Sequence, residues 1–347
     1  MLAGAAGAGA ACDVGTQHDE PHFGSGAPVH LVAANVGSGK PPLAVGARIE
    51  LFFDRLLLQE SVTRQSFELS DLNGNSPGTP PTLQYDPVAR VVAIYPQTPL
   101  MACQSYKVTM VTPKDSTDAN GIRAIDGATL APSVSPTIEF PMQCATGDGG
   151  TDAGGGAPAP IPNVDFCGQI IPIIQSKCDG NTCHGGSLPA AGLRLDSPHA
   201  IAATAIGRVA QGANTGARSS AQPQSLLFGQ DMPIVQPNAP GNSWMMYKLL
   251  LAVPQACSSS ANAAACDASA PTVMDNVHTE TWGDMSDSER ATLTNLVQGR
   301  EMPFPANPSL VDDAGHLLPG AAEPLTLDEL ELVSNWILQG APVNACH

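Results

Sequence analysis

Aromatic residues are scarce in this 347-residue chain, where Phe, Trp and Tyr together make up 4%. Basic residues are scarce too: 15 Lys and Arg stand against 32 Asp and Glu, a formal net charge of −17. That balance leaves no basic stripe to displace counterions from phosphates, which argues against nucleic acid as a partner. It suits an acidic, exported surface that steers towards basic proteins. No run of about 18 apolar residues occurs, so no membrane-spanning helix is expected. Gly-x-Ser-x-Gly and His-Glu-x-x-His are both missing, which removes two signatures of hydrolytic sites. No internal repeat is visible. With 34 Gly and 32 Pro, much of the chain must be turn or linker.

Cysteine, by contrast, is plentiful. Nine in one chain indicate an oxidising compartment. Residues 1–12 look like the tail of an export segment running into small residues. Within them Gly9-Ala-Ala-Cys12 is similar to a bacterial lipoprotein cleavage box, which implies lipidation of Cys12 and a membrane tether. Cys103 opens one predicted strand and Cys144 closes the last of the first half, making them candidates for a bridge. Cys257 and Cys266 bracket a Ser/Ala-rich stretch and are candidates for a second. Connectivity itself cannot be read from sequence.

After a polar, Gly-rich stretch to residue 27, the pattern turns to short strands. They are expected at His30–Ala34, Arg48–Phe53, Ser66–Ser70, Leu83–Tyr85, Arg90–Tyr95, Ser105–Met110 and Thr137–Phe140. Period-2 alternation and Gly/Pro/Asp turns between them argue for an antiparallel β-sandwich. The runs Ser66-Phe-Glu-Leu-Ser-Asp-Leu-Asn-Gly74, Tyr85-Asp86 with Arg90 to Pro96, and Tyr106-Lys-Val-Thr-Met110 carry a resemblance. They resemble the bacterial Ig-like domain of surface-layer and other envelope proteins, over residues 28–143. Asp71–Asn75 and Asp115–Gly121 hold oxygen ligands for Ca²⁺ but lack the Gly and distal Glu of an EF-hand loop, so tight turns explain them better. Residues 144–162 are Gly-, Asp- and Pro-rich and read as a linker.

Helical periodicity begins at Phe166–Cys178, where Ile170, Ile171, Ile173 and Ile174 supply an apolar face. Ser286-x-x-Glu289 and Thr326-x-x-Glu329 are capping boxes opening two later helices. Leu327, Leu330, Val333, Trp336 and Ile337 form one stripe on the last of them. The most informative segment is Cys178-Asp-Gly-Asn-Thr-Cys183-His184. It reads as a c-type haem attachment site with four residues between the cysteines instead of two. Covalent haem needs two thiols within reach of the two vinyl groups and an imidazole beside the second thiol. A disulfide or thiol pair beside a chance histidine is the bland reading. For the opposite face of the iron, Met302 lies between a helix and Pro303 and Pro305, which hold a loop stiff. Met245 and Met246 fall at core spacing, and Met232, Met274 and Met285 lie in polar inserts; His316 is the alternative ligand. The terminal Cys346-His347 has Val343 where a second site needs cysteine, so one haem is expected.

The motif is followed by Pro240-Gly-Asn-Ser243 and Tyr247-Lys248, then Met302-Pro303, then Trp336-Ile337 with Gly340-Ala-Pro342. This succession resembles bacterial cytochrome c-like envelope domains over residues 163–347. The departures are the Cys spacing and two inserts, near 205–238 and 254–285. The resemblance implies a mostly α domain holding one covalent haem c through Cys178 and Cys183, with His184 and Met302 on the iron. Because terminal helices cross in that fold, it also implies a Cys167–Cys346 bridge. The chain is thus read as multidomain: a tail (1–27), an all-β Ig-like sandwich (28–143), a linker (144–162) and a cytochrome c-like domain (163–347). The expected function is single-haem electron transfer at the cell envelope, periplasmic or at the surface, towards an unidentified redox protein, and not enzymatic turnover. The alternative is an envelope adhesion or scaffold protein with a structural haem domain.

Overall fold

Seven strands account for the first half of the chain: β1 (Leu31–Ala34), β2 (Ile49–Phe53), β3 (Phe67–Asp71), β4 (Thr82–Asp86), β5 (Val91–Tyr95), β6 (Ser105–Met110) and β7 (Thr137–Pro141). The structure, a computed structural model, describes residues 23–144, 163–178, 183–187, 189–213, 223–252, 285, 287–297, 299, 301–304 and 323–346. All named strand pairs are antiparallel and form two sheets, ordered β1-β2-β5-β4 and β3-β6-β7. Alternation decides which face turns inward. On β6, Tyr106, Val108 and Met110 are buried while Ser105, Lys107 and Thr109 are half-exposed. Phe53 of one sheet meets Phe67 of the other edge-on, with ring centroids 6.2 Å apart, at the centre of the layer between them.

Lettered in chain order, those sheets are ABED and CFG, the strand arrangement of a constant-type immunoglobulin sandwich. A second mark of that topology is a tyrosine near the start of the sixth strand, bonded to backbone upstream. Here the Tyr106 hydroxyl accepts the Met101 N–H at 3.0 Å. The two acidic segments are turns, as expected. Asp71 accepts the N–H groups of Asn73 and Asn75 at 2.9 and 2.8 Å, and Asp115 accepts that of Thr117 at 2.8 Å. Side-chain bonds from Asn75 and Thr117, followed by these backbone bonds, hold both carboxyls below the usual carboxylate range.

The second half is helical. A π-turn at Phe166–Ile170 runs into α1 (Ile171–Lys177), followed by α2 (Pro198–Thr204), α3 (Trp244–Leu251), α4 (Asp287–Leu296) and α5 (Leu327–Leu338). The capping box of α5 forms in full: the Thr326 hydroxyl takes the Glu329 N–H at 3.2 Å, and Glu329 takes the Thr326 N–H at 2.8 Å. Trp336 stacks on Phe166 at 5.7 Å, so the last helix lies against the first. The segment near 205–238, read from sequence as an insert, contributes Ala205, Ala210, Phe228, Met232 and Val235 to the helical core. Phe228 meets Tyr247 of α3 edge-on at 4.9 Å. Met285, also assigned to an insert, is buried as well.

The two halves share buried surface. Leu56, Leu58, Val88 and Ile125 of the first half belong to the helical core cluster. Gly241 stands against Tyr85 of β4: a Cβ there would sit 2.7 Å from the Tyr85 ring and from its carbonyl oxygen, so no larger residue fits. Glu60 accepts the Gly229 N–H at 2.7 Å. Glu289 of α4 accepts the Leu56 N–H at 2.7 Å and lies 3.8 Å from Arg55 and 3.6 Å from Arg90. Arg55 is also paired with Asp126 at 2.7 Å.

Candidate functional site

Helix α1 delivers the first thiol. Its last backbone bond runs from the Cys178 N–H to Ile174 at 2.8 Å, and Cys178 caps the helix end. Residues 179–182 lie outside the described residues, and the chain returns at Cys183 and His184. From there a compact loop is held by its own backbone. Ala190 N–H donates to the Cys183 carbonyl at 2.7 Å, and Leu195 N–H donates to the His184 carbonyl at 2.9 Å.

The His184 residue is only 7% exposed. Its Nδ1 lies 3.2 Å from the Leu193 carbonyl oxygen. A carbonyl only accepts, so Nδ1 carries the proton and Nε2 keeps the lone pair that a metal binds. Burial lowers the imidazole pKa below its usual value, against the opposing pull of the Leu193 and Ala190 backbone. The ring is therefore a neutral donor with a fixed tautomer. This is how ligating histidines are commonly oriented, through the nitrogen that does not bind.

Two disulfides are formed, Cys103–Cys144 and Cys167–Cys346, with Cα–Cα distances of 4.4 and 5.5 Å. Both pairings match those expected, and they are the covalent signature of an exported chain. Cys178 and Cys183 belong to neither bridge, and both are half-buried. Cys12, Cys257, Cys266 and His316 lie outside the described residues. Among the described residues no helix is long and apolar enough to cross a membrane.

Met302 donates its N–H to the Lys248 carbonyl near the end of α3, at 3.0 Å. Its half-buried side chain packs against the same apolar cluster as Cys178 and Leu193. Cys178, Leu193 and Met302 thus pack against one core. The donor set of two thiols, a neutral imidazole and a thioether fits a covalent haem. Among the described residues no group of three or more His, Cys, Asp or Glu is arranged to hold a bare metal ion.

Sequence reasoning missed the roles of three residues in this region. Leu193 and Lys248 act through backbone carbonyls, which no side-chain pattern reveals. Lys177 stood one residue before the motif and carried no signal of its own.

No family model matches the chain, and no curated protein does. Several solved structures are similar over about a third of the chain. The crystal structure of the S-layer protein rSbsC(31-844) is 11% identical, with 35% of this chain and 14% of that one covered and a TM-score of 0.24. The N-terminal part of the bacterial S-layer protein SbsC is 10% identical, with 34% and 24% covered and a TM-score of 0.23. PcoC, a methionine-rich copper resistance protein from Escherichia coli, is 16% identical, with 34% and 100% covered and a TM-score of 0.20. The chain spans under a quarter of the length of either S-layer chain.

Proposed function

We propose that this is an exported, single-haem, c-type cytochrome-like protein that carries electrons at the cell envelope. The observation that carries the reading is His184: a buried, neutral imidazole, oriented by Leu193, directly after Cys183 and close in sequence to Cys178. Cys178 and Cys183 would hold the group covalently, and His184 and Met302 would be the residues that bind its iron. The group supplies reversible one-electron chemistry. This chain's residues would attach it, orient its donors and surround it with apolar side chains. A methionine ligand would suit the site to electron transfer, since methionine raises the potential relative to a second nitrogen ligand. The net charge of −17 favours a basic redox partner. Lipidation at Cys12 tethers the protein to a membrane, and the sandwich is its presentation module.

The test is an absorption spectrum and a covalent-haem gel stain on protein made with a cytochrome c maturation system. One haem per chain is expected, lost in Cys183→Ala. Unmodified Cys178 and Cys183 in the mature protein defeat the reading. The immunoglobulin strand order and the Tyr106 corner favour a second reading, an adhesion or scaffold protein with a structural haem domain. Reversible redox behaviour separates the two, since a scaffold needs none.

A further inference from the structure

Helix α1 is pinned against α5 at both ends, by different chemistry at each. At the N-terminal end lie the Cys167–Cys346 bridge, the Phe166–Trp336 stack and a bond from the Val164 N–H to Gln339 at 3.1 Å. At the C-terminal end Lys177 makes the polar contacts, next to a Cys178 packed against the core. The Lys177 ammonium lies 2.9 Å from Glu329, 2.7 Å from the Pro324 carbonyl and 3.8 Å from Glu323, with only 7% of the side chain exposed.

Burying an ammonium is costly, and an apolar side chain of similar length would fill the space at less expense. What an ammonium adds is direction, because its donors must meet fixed acceptors. Those acceptors are themselves fixed: the Glu329 carboxylate that holds Lys177 also closes the α5 capping box through the Thr326 N–H. A helix clamped at one end alone can still pivot, and its far end swings most. The residue at that far end is Cys178, immediately after Lys177.

We propose that Lys177 is a positioning residue, whose contact with Glu329 and Pro324 fixes the Cys178 thiol for covalent attachment. The haem part of this rests on the function proposed above; the fixing of the thiol does not. Attachment is an addition. The thiol S–H crosses a vinyl C=C, sulfur bonds the α-carbon, the proton goes to the β-carbon, nothing leaves, and no net oxidation occurs. Such a step depends strongly on orientation, so loss of the clamp falls on Cys178 and spares Cys183.

The experiment compares full-length wild type, Lys177→Met and Glu329→Gln, which weakens the same contact from the other side. Protein made without a maturation system is alkylated, and Cys178 modification is followed by peptide mass mapping. Both variants should modify Cys178 several-fold faster at unchanged helicity. Protein made with the maturation system should show singly attached haem through Cys183, seen as a red-shifted α-band in the pyridine haemochrome. If wild type acquires no haem, the electron-transfer reading fails while the alkylation rates still decide the role of Lys177. Equal Cys178 rates in wild type and in whichever variants fold overturn the proposal.

Discussion

Glu289 and Arg90 face each other at 3.6 Å across the junction of helices and strands, with 2% and 3% of their side chains exposed. Burial raises the Glu289 pKa, while Arg90, the Leu56 N–H and Arg55 oppose that rise. Removing Glu289 takes from buried Arg90 the counter-charge that Glu289 supplies, whereas Arg55 retains Asp126. Glu289→Gln keeps an acceptor for Leu56 and deletes the charge. It should lower unfolding stability by about 3 kcal/mol. Urea titration checks this, with tryptophan fluorescence reporting the second half of the chain, where Trp244, Trp282 and Trp336 all lie in the sequence. Far-UV circular dichroism should move with the fluorescence.

Glu331 of α5 sets a pH dependence. Burial, then Asp86, then Asp328 push its pKa from 4.5 up to about 7. The folded state holds this proton more tightly than the unfolded chain. The contribution is therefore fully present below pH 4.5 and lost as pH rises through about 7. Glu331→Gln should flatten that part of the profile, worth about 2 kcal/mol after allowance for partial exposure. His184 acts in the opposite sense: its lowered pKa stabilises the fold above the usual histidine range and is lost on acidification. A Glu331→Gln protein with an unchanged slope would remove Glu331 as the source.

The two bridges should differ in weight. Cys167–Cys346 closes a span of 179 residues and Cys103–Cys144 one of 41. Loop-closure entropy then assigns about 5 kcal/mol to the first and about 4 to the second. Paired serine replacements, followed by thermal unfolding, should show the larger loss for Cys167 and Cys346.

On the haem reading proposed above, Met302→Ala should turn a low-spin site into one that binds CO or cyanide, and should lower the reduction potential. An unchanged spectrum and potential would demote Met302 to packing and promote His316.

Much of the sandwich was legible because burial on a pleated strand follows a two-residue period. Each expected strand lies within one or two residues of an observed one. The Cys178–His184 segment stood out because two thiols and an adjacent imidazole are the residue types that covalent haem requires, although a thiol pair beside a chance histidine reads the same way. The junction was not. Nothing in the alternation around Leu56, Leu58 and Val88 says which neighbour will cover them, since burial against a distant helix and burial within a sheet look alike. Glu289 read as half of a capping box, and its side chain is turned to Leu56 and two arginines. Ala205 to Val235 offered no regular period, because its apolar residues enter the core through isolated bridges such as Ile206 to Val235.

The sandwich side chains lent to the helical core have a consequence for inheritance. Multidomain proteins are often treated as strings of exchangeable beads. Replacing this sandwich with another of the same strand order would put unrelated residues where Leu56, Leu58, Val88 and Ile125 now meet the helices. It would also strand Glu289 without its two guanidinium partners. Gly241, pressed against Tyr85, adds a steric match that a donor sandwich would have to reproduce. Recombination at this seam is therefore penalised, and both sides are expected to drift through paired substitutions, as a single unit of descent.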